Sequence, residues 1–370
     1  MEKIKRIAYL DYARVLAMIC ITMTHAVNRS FDNYNTAVGQ AMILSPSESL
    51  FRIIVSIVSR IGVPLFLMIT GALVLSKSFE DKAAIRKFYK NNLLPIFITS
   101  EIWYFVMYWF IQLNSAGQAV HSMSREDVGL LMLGCLKNQE FVDQVTMDCM
   151  WYISMILCVY LVIPIAAICK DRIPYEAVLL PCLVLLFSDM IIPSINNLLV
   201  LQGSEKTISF ALYGRNVYSM YFLYIIAGYL ISKGVLSRFS TGLLGLLLAA
   251  SFTAVCFYQD YVWSLPEGYL VDYNFPGFLL IALLVFELLR RSGKERTPSK
   301  TVTYISKISF GIFFTHILIM DTAVYFIGDA FSNRIEKALL LETISLAVSV
   351  LFIWLVSRSQ KLSRILFVLK

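Results

Sequence analysis

Leu10-Asp11-Tyr12-Ala13-Arg14, followed ten residues later by His25, lies inside an apolar run that extends from about residue 8 to 27. A run of that length is enough to cross a bilayer as a helix. Ionisable groups at membrane depth are costly unless they serve a site or a structural pair. Their spacing is therefore informative. At about 100° per residue, Arg14 and His25 are separated by three turns plus about 20°, so they share one helix face about 16 Å apart. Asp11 precedes Arg14 by one turn and falls within about 40° of His25 on the same wheel, and Thr22 precedes His25 by one turn. One stripe thus carries an acid, a permanent cation, a hydroxyl and an imidazole. Two readings fit it: a chemical site, or a snorkelling Asp11–Arg14 pair with His25 as a satisfied bundle histidine.

Outward from this segment the same pattern repeats. Ten apolar runs of spanning length fall at about 8–27, 50–75, 93–113, 149–169, 176–194, 217–233, 240–258, 275–290, 304–327 and 338–357. In the whole chain of 370 residues 58% are hydrophobic and 15% charged, and the mean hydropathy is +0.70. A water-soluble protein of this size has too little interior to hide that surface, so soluble, disordered and disulfide-scaffold classes are excluded. With the N-terminus inside, the expected inner segments hold 21 Lys and Arg and the outer loops seven. That bias predicts an all-α bundle of about ten transmembrane helices with both termini cytoplasmic. The first run carries Asp11 and Arg14 and lacks a small-residue cleavage site, so it reads as a retained span rather than a signal peptide. The expectation is one integral-membrane domain over residues 1–370 without a soluble appendage. The seven cysteines show no metal-ligand spacing, and neither a metal nor a nucleic-acid partner is expected.

Four stretches carry a family resemblance. Leu10-Asp11-x-x-Arg14 with His25 resembles the Arg-x10-His motif of the acyltransferase-3 family of bacterial integral-membrane O-acyltransferases. Arg60-Ile61-Gly62-Val63-Pro64-Leu65-Phe66-Leu67-Met68-Ile69-Thr70-Gly71 is similar to its Val-Pro-Leu-Phe-Phe-x-x-Ser-Gly stretch. Met150-Trp151-Tyr152-Ile153 with Tyr160 and Pro164 resembles its Leu-Trp-Phe-Leu segment, and Ser309 to His316 resembles its late Ser-x-x-x-Tyr-x-x-His. The stretches occur in family order. One departure stands out: where the family often has Arg-x-x-Arg before the third span, this chain reads Asn92-Leu93-Leu94-Pro95.

The resemblance implies transfer of an acyl group, usually acetyl, from cytoplasmic acyl-CoA to a hydroxyl of an envelope glycan or its lipid-linked precursor. The implied setting is the bacterial cytoplasmic membrane. His25 is the candidate to take the hydroxyl proton, since an imidazole titrates near neutral pH, or to carry the acyl group transiently; both roles fit. Arg14 is the candidate for holding the donor or stabilising charge at the thioester carbonyl, with Asp11 positioning it. Candidate donor-binding residues are Arg60, Arg86, Lys87, Lys90, Trp151 and His316. A second basic cluster lies at Arg290, Arg291, Lys294 and Arg296, although the inside-positive bias alone also produces such clusters. Arg60 pairing with a carboxylate such as Glu101, and His316 as a structural hydrogen-bonding group, are the competing readings. Glu101, Asp189, Glu287, Asp321 and Glu342 have no assigned partner at this stage. The alternative function is a transporter or flippase built on the same spans, although the matched broken-helix halves common in transporters are absent from the pattern.

Overall fold

The computed structural model describes residues 7–31, 44–114, 149–209, 219–265, 268–293, 296–327 and 330–369. Lys294 of the second basic cluster lies outside them. Every regular element among the described residues is helical. In chain order they are α1 (Ala8–Ser30), α2 (Pro46–Ser59), α3 (Gly62–Thr70), α4 (Lys82–Phe88), α5 (Leu94–Asn114), α6 (Trp151–Arg172) and α7 (Tyr175–Leu186). They continue with α8 (Ile192–Leu201), α9 (Ser219–Ser232), α10 (Thr241–Ser264), α11 (Pro276–Gly293), α12 (Lys300–Ile327), α13 (Arg334–Val356) and α14 (Gln360–Phe367). Single π-helical turns, Gly71–Leu75, Tyr89–Leu93 and Phe187–Ile191, extend α3, join α4 to α5 and join α7 to α8.

Each apolar run expected to span falls on a helix or on two consecutive helices, joined by a π-helical turn or, for α2 and α3, by a two-residue break. Eight helical stretches among the described residues are long and apolar enough to cross a membrane. The other two expected spans correspond to α9, which is shorter, and to α11, whose end carries Glu287, Arg290 and Arg291. The third span begins earlier than the apolar pattern suggests. Asp81 accepts the Ala84 N–H at 2.7 Å and starts a helix that runs from Lys82, so Arg86, Lys87 and Lys90 are helical rather than loop residues.

Contacts divide the chain into two compact units. The first contains Met1–Lys77, Arg172–Ser306 and Ile327–Glu342, and the second contains Ser78–Asp171, Lys307–Phe326 and Thr343–Lys370.

In the first unit, α1 and the α2–α3 stretch are the most enclosed spans, with 61% and 72% of their apolar windows buried against 11% for α10. The start of α2 is over-determined. Ser45 caps it, Glu48 reaches back to the Ser45 N–H at 3.0 Å, and Pro46 occupies the first helical position. The helix breaks at Arg60–Ile61 and restarts at Gly62, which puts Pro64 in the first turn of α3, where a missing N–H costs nothing. Two glycines then let backbones touch. A Cβ at Gly71 would collide with the Ile225 carbonyl, and one at Gly228 with the Met68 backbone. This is the small-residue crossing that membrane helices use when lipid removes any hydrophobic drive between them.

In the second unit, Trp103 of α5 stacks on Phe314 of α12 with centroids 5.3 Å apart and planes 5° from parallel. The basic stretch after the last span folds as α14. Ser359 caps it, Thr99 donates to the Ile365 carbonyl at 2.7 Å, and Trp103 Nε1–H donates to the Leu366 carbonyl at 2.8 Å. Phe367 is buried, and Gly311 leaves the room it needs.

Candidate active site

α1 is unbroken from Ala8 to Ser30, so the spacing of the polar stripe holds in three dimensions. At its N-terminal end Asp11 is 1% exposed and doubly engaged. Ser306 Oγ–H donates to Asp11 Oδ1 at 2.6 Å, and Arg14 Nη1 donates to the same oxygen at 3.4 Å. A buried carboxylate needs such partners, because its desolvation otherwise exceeds what one ion pair returns. Arg14 keeps 28% of its side chain exposed.

Farther along the same helix the surroundings change. Thr22 is buried and donates to Glu342 Oε1 of α13 at 2.7 Å. His25 is half-buried one turn beyond Thr22. Val27 and Phe31 of α1 pack with Ala338 of α13, and Phe51 and Val55 of α2 close the same cluster. Arg334, at the start of α13, donates its backbone N–H to Glu48 of α2 at 3.2 Å. Three helices of the first unit thus meet around the half of α1 that carries His25.

Arg60 also belongs to the first unit. Its Nη1 donates to Asp272 Oδ1 at 2.6 Å, and its guanidinium lies 5.4 Å from the Tyr273 ring centroid. Asp272 is thus a carboxylate partner of Arg60, and the apolar pattern hides it in a short polar stretch before α11. Of the second basic cluster, Arg290 and Arg291 are bound within the unit. Glu287, fully buried, accepts from Arg290 Nε at 2.8 Å and from Arg291 Nε at 2.7 Å, and Arg291 also donates to Thr241 and the Leu236 carbonyl. These two guanidiniums are structural anchors of α11 before they are anything else.

The remaining candidates lie in the second unit. Arg86, Lys87 and Lys90 are exposed along one helical stretch. Trp151 is half-buried and meets Tyr152 edge-on at 6.1 Å. His316 is wholly enclosed. Its Nδ1 lies 3.0 Å from the Ile312 carbonyl, and Ser345 donates to its own carbonyl at 3.0 Å. The structure therefore brings Asp11, Arg14, His25 and Arg60 into one unit and sets Arg86, Lys87, Lys90, Trp151 and His316 in the other.

Sequence reasoning missed the roles of Ser306, Asp272 and Glu342. Glu342 had a usable signal, being a lone acid in an apolar span. Ser306 had none, because a serine in a span is common.

The comparison with protein families agrees with the motifs. The acyltransferase-3 family, described as an acyltransferase domain, matches residues 7–358, and the chain belongs to it. No curated protein and no solved structure shows a significant match. The family and the spanning helices together define a multi-pass membrane acyltransferase.

Proposed function

We propose that the protein transfers an acetyl group from cytoplasmic acetyl-CoA to a hydroxyl of an envelope glycan or lipid-linked glycan precursor in the bacterial cytoplasmic membrane. The observation that carries the reading is the α1 stripe: a partly exposed Arg14 steadied by Asp11, and His25 about 16 Å farther along one face. That length accommodates an extended pantetheine-like arm between a guanidinium holding the phosphate end and an imidazole beside the reacting carbonyl.

In this reaction the acceptor oxygen attacks the thioester carbonyl while His25 takes its proton. The new C–O bond forms, the C–S bond breaks, and the proton passes from the imidazolium to the departing thiolate, giving ester and CoA thiol. Arg86, Lys87 and Lys90, exposed at the start of the third span, supply clustered positive charge for a phosphorylated donor. They stand in where the family's Arg-x-x-Arg pair is missing.

The test is CoA release from acetyl-CoA by detergent-purified protein. Release that disappears in His25→Ala, with expression and insertion intact, supports the reading. Wild-type turnover in that variant removes His25 from the mechanism, and solute counterflow without acyl consumption favours transport instead.

A further inference from the structure

Around His25 the first unit holds an unusual set of unsatisfied oxygens. Asn28 Oδ1, Ser56 Oγ and Glu342 Oε2 are all buried, and none has a hydrogen-bond partner among the described residues. Ser56 is 1% exposed and Glu342 6%. Such atoms are rare in folded proteins and costly in a low-dielectric interior, so each one asks for a partner. They come from three helices, α1, α2 and α13.

Packing register brings them to one level. Phe31 of α1 stacks on Phe51 of α2 at 6.1 Å, and Gly62, at the start of α3, lies against Cys20 and Ile21. The helices are antiparallel, and between these two fixed points Ser56 falls level with His25. On the other side, Ala338 packs with Val27 and Phe31 while Glu342 reaches Thr22, so His25 falls between those two levels of α13. Asn28 follows His25 by one turn. The orphan oxygens therefore fall within about one helical turn of His25 along α1.

We propose that Ser56, Asn28 and Glu342 form the acceptor subsite, taking hydrogen bonds from the vicinal hydroxyls of a sugar so that one hydroxyl lies against His25. The inference rests on the acyl-transfer reading and names the group that binds the acceptor. Its chemistry follows from the atoms. An amide oxygen accepts, a carboxyl oxygen can accept in either protonation state, and a serine hydroxyl accepts as well as donates. A ring of acceptors suits a ligand rich in O–H donors. Glu342 is held in place by Thr22 through its other oxygen, so its orientation is set before any ligand arrives.

The test uses the full chain in lipid nanodiscs with methyl glycosides of glucose, mannose and N-acetylglucosamine as probes. Binding is read by saturation-transfer NMR against empty nanodiscs, and acetyl-CoA turnover is measured separately. Wild-type protein should bind at least one glycoside. Ser56→Ala and Asn28→Leu should raise its Kd about three- to tenfold, the loss expected for one neutral hydrogen bond. Glu342→Gln keeps an acceptor for Thr22 and replaces the free oxygen with a donor, and should raise Kd about ten- to hundredfold, with melting temperatures within a few degrees of wild type.

No glycoside binding by wild type, or binding unchanged in all three variants, overturns the subsite whatever the turnover assay gives. Binding that weakens as expected, in a protein that does not consume acetyl-CoA, supports the subsite and overturns the acyl-transfer reading instead.

Discussion

The two halves of α1 treat their polar groups in opposite ways. Near the N-terminus Asp11 is buried but saturated, with Ser306 and Arg14 both donating to it. Past the midpoint, the band around His25 leaves Asn28, Ser56 and Glu342 each with a buried oxygen lacking a hydrogen-bond partner among the described residues. The supply of hydrogen-bond partners differs between the two bands. A saturated band is a mount that fixes the direction of a guanidinium. An unsaturated band has its binding energy unspent, available to a substrate and to the transition state. The contrast separates a saturated band from one with open acceptors on one helix.

The sharpest way to break that contrast is at His25. His25→Ala should lower kcat about 10²–10⁴-fold, the usual contribution of a positioned acid–base group, with little change in thermal unfolding. A large loss of stability with a small loss of rate would move His25 into the mount. At the other band the order should reverse. Arg14→Ala takes a charged partner from the buried Asp11 carboxylate and should destabilise the protein by about 3 kcal/mol, read as a lower midpoint of thermal unfolding in detergent. Adding Asp11→Asn should recover much of that loss, because the uncompensated charge is then gone.

A smaller effect follows at Ser306, on α12. Ser306→Ala removes a donor to Asp11 and should cost about 1.5–3 kcal/mol, with the KM for acyl-CoA rising as Arg14 loses its fixed direction. An unchanged KM alongside lost stability would show that Asp11 does not position Arg14 for the donor. The smallest effect is expected at the exposed cations. Arg86→Ala, Lys87→Ala and Lys90→Ala together should raise the KM for acyl-CoA several-fold at low salt, and the difference should shrink as ionic strength rises, since exposed charges are screened within about 10 Å at 0.1 M. A salt-independent change would point to a directional contact instead.

Several of these groups were readable before any coordinates. The shared face of Asp11, Arg14, Thr22 and His25 needs only helical periodicity and an unbroken apolar run, and α1 supplies both. Pro64 and Gly71 could be picked out as a motif, but the reason for them could not. Their meaning depends on a helix break at Arg60–Ile61 and on a backbone crossing with α9, neither of which has a local signal. The basic run at 290–296 shows the reverse failure. By composition it looks like a polyanion site, yet Glu287, three and four residues upstream, occupies both Arg290 and Arg291.

The amino-acid order alone determined that this chain is helical and lipid-embedded, because hydropathy and the 3.6-residue period are properties of neighbours along the chain. It also determined which face of α1 is polar. Only the tertiary structure decided which polar groups are matched and which are left open. Ser306 meets Asp11 across 295 positions of sequence and Glu342 meets Thr22 across 320, and no local pattern encodes pairings at that separation.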